Sequence, residues 1–107
     1  MRGDINKKKS IILLLSKILE AQRDTLNGID KELATNIFFM FNNLDLRHNN
    51  RDKESKHYKE CIAMLDDEEL EQLYDDTYQM CLLAFLEIDN QERTKKVDEL
   101  KSVLKQG

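Results

Sequence analysis

The chain has 107 residues, a formal net charge of −4, no proline and only three glycines. This length supports one domain with one modest hydrophobic core and excludes two domains of ordinary size. The chain is poor in the turn residues that sheets need and rich in helix formers. It is therefore predicted to be a single all-α domain spanning residues 1–107.

Composition also narrows the location and the class of partner. The longest uninterrupted apolar run, residues 11–15, has five residues, whereas a membrane-spanning helix needs about 20. No small-residue cleavage site follows the basic N-terminal stretch, so a cytoplasmic location is expected and secretion is not. The acidic balance argues against nucleic acid as a partner. Abundant Lys, Asn and Ile suit an AT-rich bacterial, phage or plasmid genome.

Helical spacing of apolar residues predicts a compact bundle of four to five helices. The central helix is expected at 67–88, where the apolar face is wide enough to be buried on more than one side. Its start carries a capping box. The Asp66 side chain is expected to accept a hydrogen bond from a backbone N–H of the first turn, and the Glu69 side chain to accept one from the N–H of Asp66. Asp89 or Asn90 is expected to cap the last helix. The predicted helices cover 5–26, 29–45, 53–65, 67–88 and 91–105.

The N-terminal helix boundaries leave two arrangements open. Asp4 or Asn6 can cap the first helix, and the Asn27-Gly28 pair can end it with a left-handed residue. Helical spacing nevertheless continues across Gly28, and an interior glycine costs only about 1 kcal/mol relative to alanine. A long helical hairpin with residues 5–45 as one helix is therefore the alternative to the bundle.

Three apolar runs hold more large side chains than one helix face can bury: 11–15, 38–41 and 82–86. A five-residue run turns through about 500° of a helix, so some of its side chains must face outward. We therefore expect a homodimer or a hetero-complex with an unidentified protein. The outward side chains expected to form the contact are Ile12, Leu13, Phe39 and Leu82.

Negative charge is concentrated near these residues. Between Asp66 and Asp89 there are nine carboxylates and no Lys or Arg. The acids of the first turn are common at any helix N-terminus. We expect the remaining ones, Glu71, Asp75 and Asp76, to attract a basic partner.

No group of residues in the sequence indicates catalysis, so an enzyme is not expected, and neither a cofactor nor a metal site is predicted. His48 and His57 have no Cys or second carboxylate at zinc-ligand spacing. Cys61 and Cys81 lie in apolar helical patterns typical of small buried thiols in a reducing cytosol. The leading interpretation is a small cytosolic regulatory protein that acts by protein–protein binding, such as an inhibitor, immunity protein, antitoxin or phage modulator.

One alternative is a ribonuclease. Arg51 and His57, six residues apart in an all-helical chain, resemble the Arg-x4–6-His signature of the HEPN ribonuclease superfamily. That resemblance implies RNA cleavage by this pair at a dimer interface. Asp52 departs from the family pattern, which usually has asparagine or histidine after the arginine.

A second alternative comes from Leu73-Tyr74-Asp75 and the following LLAFLEIDNQERTKKVDELKSVL. The order of a Leu-Tyr-Asp helix, a short acidic break and a final amphipathic helix is similar to the C-terminal half of flagellar FliS-type export chaperones. This resemblance covers about a third of the chain and implies flagellin-like partners. The N-terminal half does not follow the family pattern.

Overall fold

A computed structural model of the chain describes residues 4–106. Within this range it contains five α-helices and no strand, which confirms the predicted all-α bundle. The helices are α1 (Ile5–Ala21), α2 (Arg23–Ile29), α3 (Lys31–Asn43), α4 (Glu60–Ala63) and α5 (Asp67–Gln106).

Aspartate side chains cap the starts of α1 and α3. Asp4 caps α1 by accepting a 2.9 Å hydrogen bond from the backbone N–H of Asn6. The helix is interrupted at Gln22, and α2 then continues through Gly28 to Ile29. Asp30 caps the start of α3, where its side chain accepts a 3.0 Å hydrogen bond from the N–H of Leu33.

The helix boundaries predicted for this region are therefore wrong, although the bundle itself is confirmed. The predicted break at Gly28 does not occur, because the residue has no positive φ and lies in ordinary helix with open space where a Cβ would be. The single helix over 5–45 does not occur either. An Asp cap offers the backbone N–H a partner outside the helical ladder, and this ends α2 at Asp30.

A polar loop replaces most of the helix predicted at 53–65, of which only α4 remains. The loop is organised around Asn50, which is 1% exposed. Asn50 Oδ1 accepts a 2.8 Å hydrogen bond from the N–H of Asp45, and Asn50 Nδ2 donates a 2.9 Å hydrogen bond to the carbonyl of His57. In return, Asp45 Oδ1 accepts a 3.0 Å hydrogen bond from the N–H of Asn50, and Asp45 has a left-handed φ of 59°. Asp tolerates this conformation better than most residues.

The long helix α5 starts at the predicted capping box. The N–H of Glu69 donates to Asp66 Oδ1 at 2.8 Å, and the N–H of Asp66 donates to Glu69 Oε1 at 3.1 Å. The predicted break at 89–90 is wrong, because α5 runs for 40 residues. Asp89 does not cap a new helix but pairs with Arg93, four residues ahead, which supports a continuous helix.

Only the first part of α5 belongs to the bundle. This part packs against α1, α2 and α3, as expected for the central helix. α3 runs antiparallel to it, from Asp30 beside Glu87 to Leu44 beside Tyr74. Residues 92–106 are all exposed and extend the described chain to 66 × 31 × 18 Å. The core contains Ile12, Leu19, Leu26, Leu33, Ala34, Ile37, Phe38, Phe41, Leu44, Leu46, Leu70, Tyr74, Cys81 and Ala84.

Candidate functional site

The most extensive apolar surface lies on α5. Large apolar side chains remain exposed from the end of the bundle to the last turn of the helix. They recur at alternating three- and four-residue steps, interrupted once by Asn90 and Arg93. We call these positions the α5 stripe: Leu83, Leu86, Asn90, Arg93, Val97, Leu100 and Leu104.

The α5 stripe faces away from the core. Cys81 and Ala84 are fully buried against the other helices. Leu83 follows Cys81 by two residues, which is a rotation of about 200° around the helix. Leu86 is 64% exposed, Leu100 57% and Leu104 70%. One helix therefore presents its core face to the bundle and a second apolar face to solvent.

The spacing of the stripe is that of a coiled-coil seam. Steps of three and four residues repeat every seven residues and occupy the a and d positions of a heptad. The flanking positions carry Leu82 and Val103, which are also exposed, together with Asp89 and Lys96. This arrangement can bury apolar side chains against another helix and add charged contacts along its edges.

A second surface lies beside the stripe, between α1 and α5. A groove of about 420 Å³ runs between Ile11 and Tyr78, with Ile12 and Tyr74 among its walls. At its end Lys8 Nζ pairs with Glu71 at 2.7 Å and Asp75 at 2.8 Å. Hydrogen bonds to Asp75 and then Glu71 raise the pKa of Lys8. Ile11, Leu14 and Ile18 add exposed apolar surface on α1.

The structure separates the apolar residues predicted to bind a partner. Ile12 is 1% exposed, so the expectation that it faces outward is wrong. It lies on the same face of α1 as Ser16 and Leu19, which are buried in the core. Leu13 is half-buried, whereas Phe39 is 63% and Leu82 39% exposed. Phe39 is on α3 and Leu82 is on α5 beside the stripe, so only Leu82 joins the larger surface.

The three acids predicted to attract a basic partner lie near each other at the start of α5. Glu71 and Asp75 are paired with Lys8, which balances part of their charge. Asp76 is exposed and accepts a hydrogen bond from Gln72 at 3.3 Å. Their role in binding remains a prediction.

The residues considered for chemistry lie in and beside the polar loop. Arg51 donates a 2.7 Å hydrogen bond to the carbonyl of Leu65, and the His57 ring stacks on the His48 ring at 4.0 Å. Burial, followed by the charges of His48, Lys56 and Lys59, lowers the pKa of His57. Across residues 4–106, no three His, Cys, Asp or Glu side chains converge to hold a metal ion.

Sequence reasoning missed the stripe beyond Leu86. The signal was present, because Leu83, Leu86, Val97, Leu100 and Leu104 keep one heptad register across 89–90. The predicted helix break divided this register into two helices. With a break at 89–90, the last four turns form a separate amphipathic helix. Their apolar residues then do not extend the outward face of the helix predicted at 67–88.

No protein-family model, curated protein or solved structure matches the chain. In the part of the chain that the structure describes, no helix has the length and apolar character needed to cross a membrane.

Proposed function

We propose that this protein is a non-catalytic helical interaction protein that binds a protein partner through the α5 stripe. Such a protein acts by occupying a surface of its partner, as a small regulator does. The observation that carries this proposal is the exposure of the stripe along the side of α5 that faces away from the core.

Binding through the stripe would remove several large apolar side chains from water. Burying a large aliphatic side chain is favourable by roughly 1.5–3 kcal/mol. Single exposed apolar residues are ordinary, but several of them in one register along a helix face mark a binding surface. Phe39, the one exposed large apolar residue of α3, is a single exposed residue of this ordinary sort. The stripe is a series of exposed apolar residues on one helix face.

The two alternative functions draw less support. For the ribonuclease, Arg51 and His57 lie in a polar loop outside the helices, and the guanidinium is engaged by the carbonyl of Leu65. For the FliS-type chaperone, the resemblance requires a break between two helices, and α5 is continuous through Asp89 and Asn90. No specific observation therefore favours either alternative over binding by the stripe.

Site-specific photo-crosslinking tests the proposal. A benzoylphenylalanine residue would replace Leu100 on the stripe, and in a matched control would replace Ser102, which is exposed about 200° further around the same helix. Both variants would be irradiated in extracts of cells that make the protein. We expect protein adducts at position 100 and at least tenfold fewer at position 102. Equal labelling, or no labelling at either position, would contradict the proposal.

A further inference from the structure

We infer that the occupant of the α5 stripe is the stripe of a second copy of this chain, packed antiparallel about a two-fold axis near residues 91–92. This inference rests on the proposed function, because it names the partner of the same surface. It is carried by the order of apolar and charged residues along α5, which is self-complementary in one orientation and one register.

The apolar residues match across this axis. Leu83 faces Leu100 of the second copy, and Leu86 faces Val97 of the second copy, with both contacts repeated by symmetry. At the flank, Leu82 faces Val103 of the second copy. The overlap runs from Gln79 to Leu104, about 26 residues or 39 Å of helix. Each large exposed side chain of this part of α5 thus meets another apolar side chain, except Leu104, which faces Gln79.

The polar residues match at the centre. Asn90 of each copy faces Arg93 of the other, so the amide oxygen can accept from a guanidinium that has five N–H donors. Asp89 faces Lys96 of the second copy, which forms two opposite-charge pairs per dimer. In the single chain Arg93 already pairs with Asp89 along the helix. The centre of the contact is therefore polar on both sides, and each Asp89 lies between Arg93 of its own helix and Lys96 of the second copy.

Other arrangements of the same two helices lose this match. In a parallel pair, Arg93 would face Arg93 and Lys96 would face Lys101, so like charges would meet. A shift of seven residues in the antiparallel pair would place Asn90 against Leu100 and Arg93 against Val97. The shifted pair leaves Asn90 and Arg93 without polar partners in an apolar contact, and the parallel pair brings like charges together. Charge and polarity together select one geometry.

The fold leaves room for the second copy. The core face and the stripe lie on opposite sides of α5, so each bundle would sit on the outer side of the pair. Because the helices are antiparallel, the two bundles would also lie at opposite ends of the contact. The end of the second helix would reach the exposed Leu82, next to the groove between α1 and α5.

Disulfide trapping and light scattering test the inference together. Leu86→Cys and Val97→Cys would each be made in a Cys61→Ser background, because Cys61 is exposed and Cys81 is buried. We expect the wild-type chain to have twice its 12.7 kDa mass at micromolar concentration. On oxidation, an equilibrated mixture of the two cysteine variants should form a disulfide-linked dimer, while each variant alone should not.

Substitutions distinguish a specific contact from non-specific hydrophobic association. Leu100→Glu should raise the dissociation constant of the dimer by at least about 100-fold, because both symmetry-related Leu83–Leu100 contacts receive a charge. The matched control Ser102→Glu should leave the constant unchanged. Circular dichroism and urea unfolding check that both variants keep the bundle, from which residue 100 is remote.

Each contrary result has a separate meaning. A disulfide in Leu86→Cys alone would show a parallel pair and overturn the inferred geometry. A monomer at 100 μM would overturn the second copy as the occupant. Neither result contradicts binding by the stripe. A parallel pair would still use the stripe, and for a monomer the photo-crosslink at position 100 would identify a different protein. Absence of both a dimer and a crosslink would overturn the inference and the proposed function.

Discussion

The hydroxyl of Tyr74 on α5 donates a 2.8 Å hydrogen bond to the backbone carbonyl of Leu44, the residue that ends α3. Tyr74 is 1% exposed and Leu44 3%. The last carbonyls of a helix have no partner within it, so this bond satisfies a buried acceptor. It also connects the end of α3 and the start of the polar loop to the central helix.

Tyr74→Phe should therefore lower the free energy of unfolding by about 1–3 kcal/mol, because the Leu44 carbonyl stays buried and loses its donor. Urea unfolding followed by circular dichroism measures the change. The control is Tyr78→Phe, in which the lost hydroxyl belongs to a residue that is 38% exposed. An equal effect of the two substitutions would argue against a special role for the Tyr74 bond.

The same tyrosine predicts a loss of stability in alkali. Burial, followed by the nearby charge of Asp45, raises the pKa of Tyr74 to about 12. The unfolded chain ionises its tyrosines near pH 10. From about pH 10 to 12 the folded chain therefore binds more protons than the unfolded one, and stability falls as pH rises. Relative to wild type, Tyr74→Phe should lose less stability over this interval in urea titrations at fixed pH.

Local signals made parts of this fold predictable. Asp66 and Glu69 are three residues apart, and their capping box forms without help from the rest of the chain. The same is true of Asp4 at the start of α1. The fully buried Tyr74 and Cys81 on α5 follow directly from helical periodicity. These features depend on spacing within one helix, which the sequence displays.

Other parts depend on partners that the sequence does not identify. The polar loop forms because Asn50, five residues from Asp45, exchanges hydrogen bonds with it and also binds the His57 carbonyl. Propensity instead favoured a helix at 53–65. The outward orientation predicted for Ile12 is wrong because a continuous apolar run such as 11–15 has no period to show which side chain faces inward. Leu82 is exposed, as predicted, since it lies outside the inward face of α5.

The two thiols should differ sharply in reactivity. Cys61 is exposed, whereas Cys81 is buried, and burial raises the pKa of Cys81 to about 12. At pH 8 a thiol with this pKa is ionised in only about one molecule in 10⁴, and the thiolate is the reactive form. Ellman's reagent should modify one thiol per folded chain rapidly and the second only after unfolding in guanidinium. Cys61→Ser should lack the rapid phase, and two rapid thiols in the folded wild type would contradict this assignment.

Glu87 should make stability depend on pH below neutrality. Its Oε2 is buried, and burial, followed by the charge of Asp30, raises its pKa above 4.5. The folded state therefore holds the Glu87 proton more tightly than the unfolded state. The resulting stabilisation is complete below pH 4.5 and is lost as pH rises through the folded pKa.

Glu87→Gln should consequently stabilise the chain by about 0.5–1.5 kcal/mol at pH 7, because an amide can donate to Asp30 without a like charge. The gain should disappear near pH 4, where the wild-type carboxyl is protonated. Urea unfolding at both pH values measures the difference. Glu99→Gln, at an exposed position on α5, is the control and should change little at either pH. A gain of the same size at pH 4 would refute the protonation argument.

The opposite charges of Asp89 and Lys96 should determine the direction of the inferred helix pair. Both residues are exposed in the single chain. In the antiparallel pair each faces the other across the contact, whereas in a parallel pair Lys96 would face Lys101. Lys96→Asp should therefore weaken an antiparallel dimer, by roughly tenfold at low salt from two exposed pairs. The same substitution would strengthen a parallel dimer.

Reversing both charges should restore the antiparallel dimer. Asp89→Lys alone should weaken it, partly because the helical pair with Arg93 is also lost. The double variant Asp89→Lys/Lys96→Asp also lacks that helical pair. If its dimer is tighter than those of the single variants, the gain in affinity therefore measures the contact between copies. Lys95→Asp, on the opposite side of α5, is the control and should leave dimerisation unchanged. Analytical ultracentrifugation measures the dissociation constants of wild type and the four variants, and their differences should shrink in 1 M salt, where exposed charges are screened. Tighter dimerisation of Lys96→Asp, or no recovery in the double variant, would reject the antiparallel register.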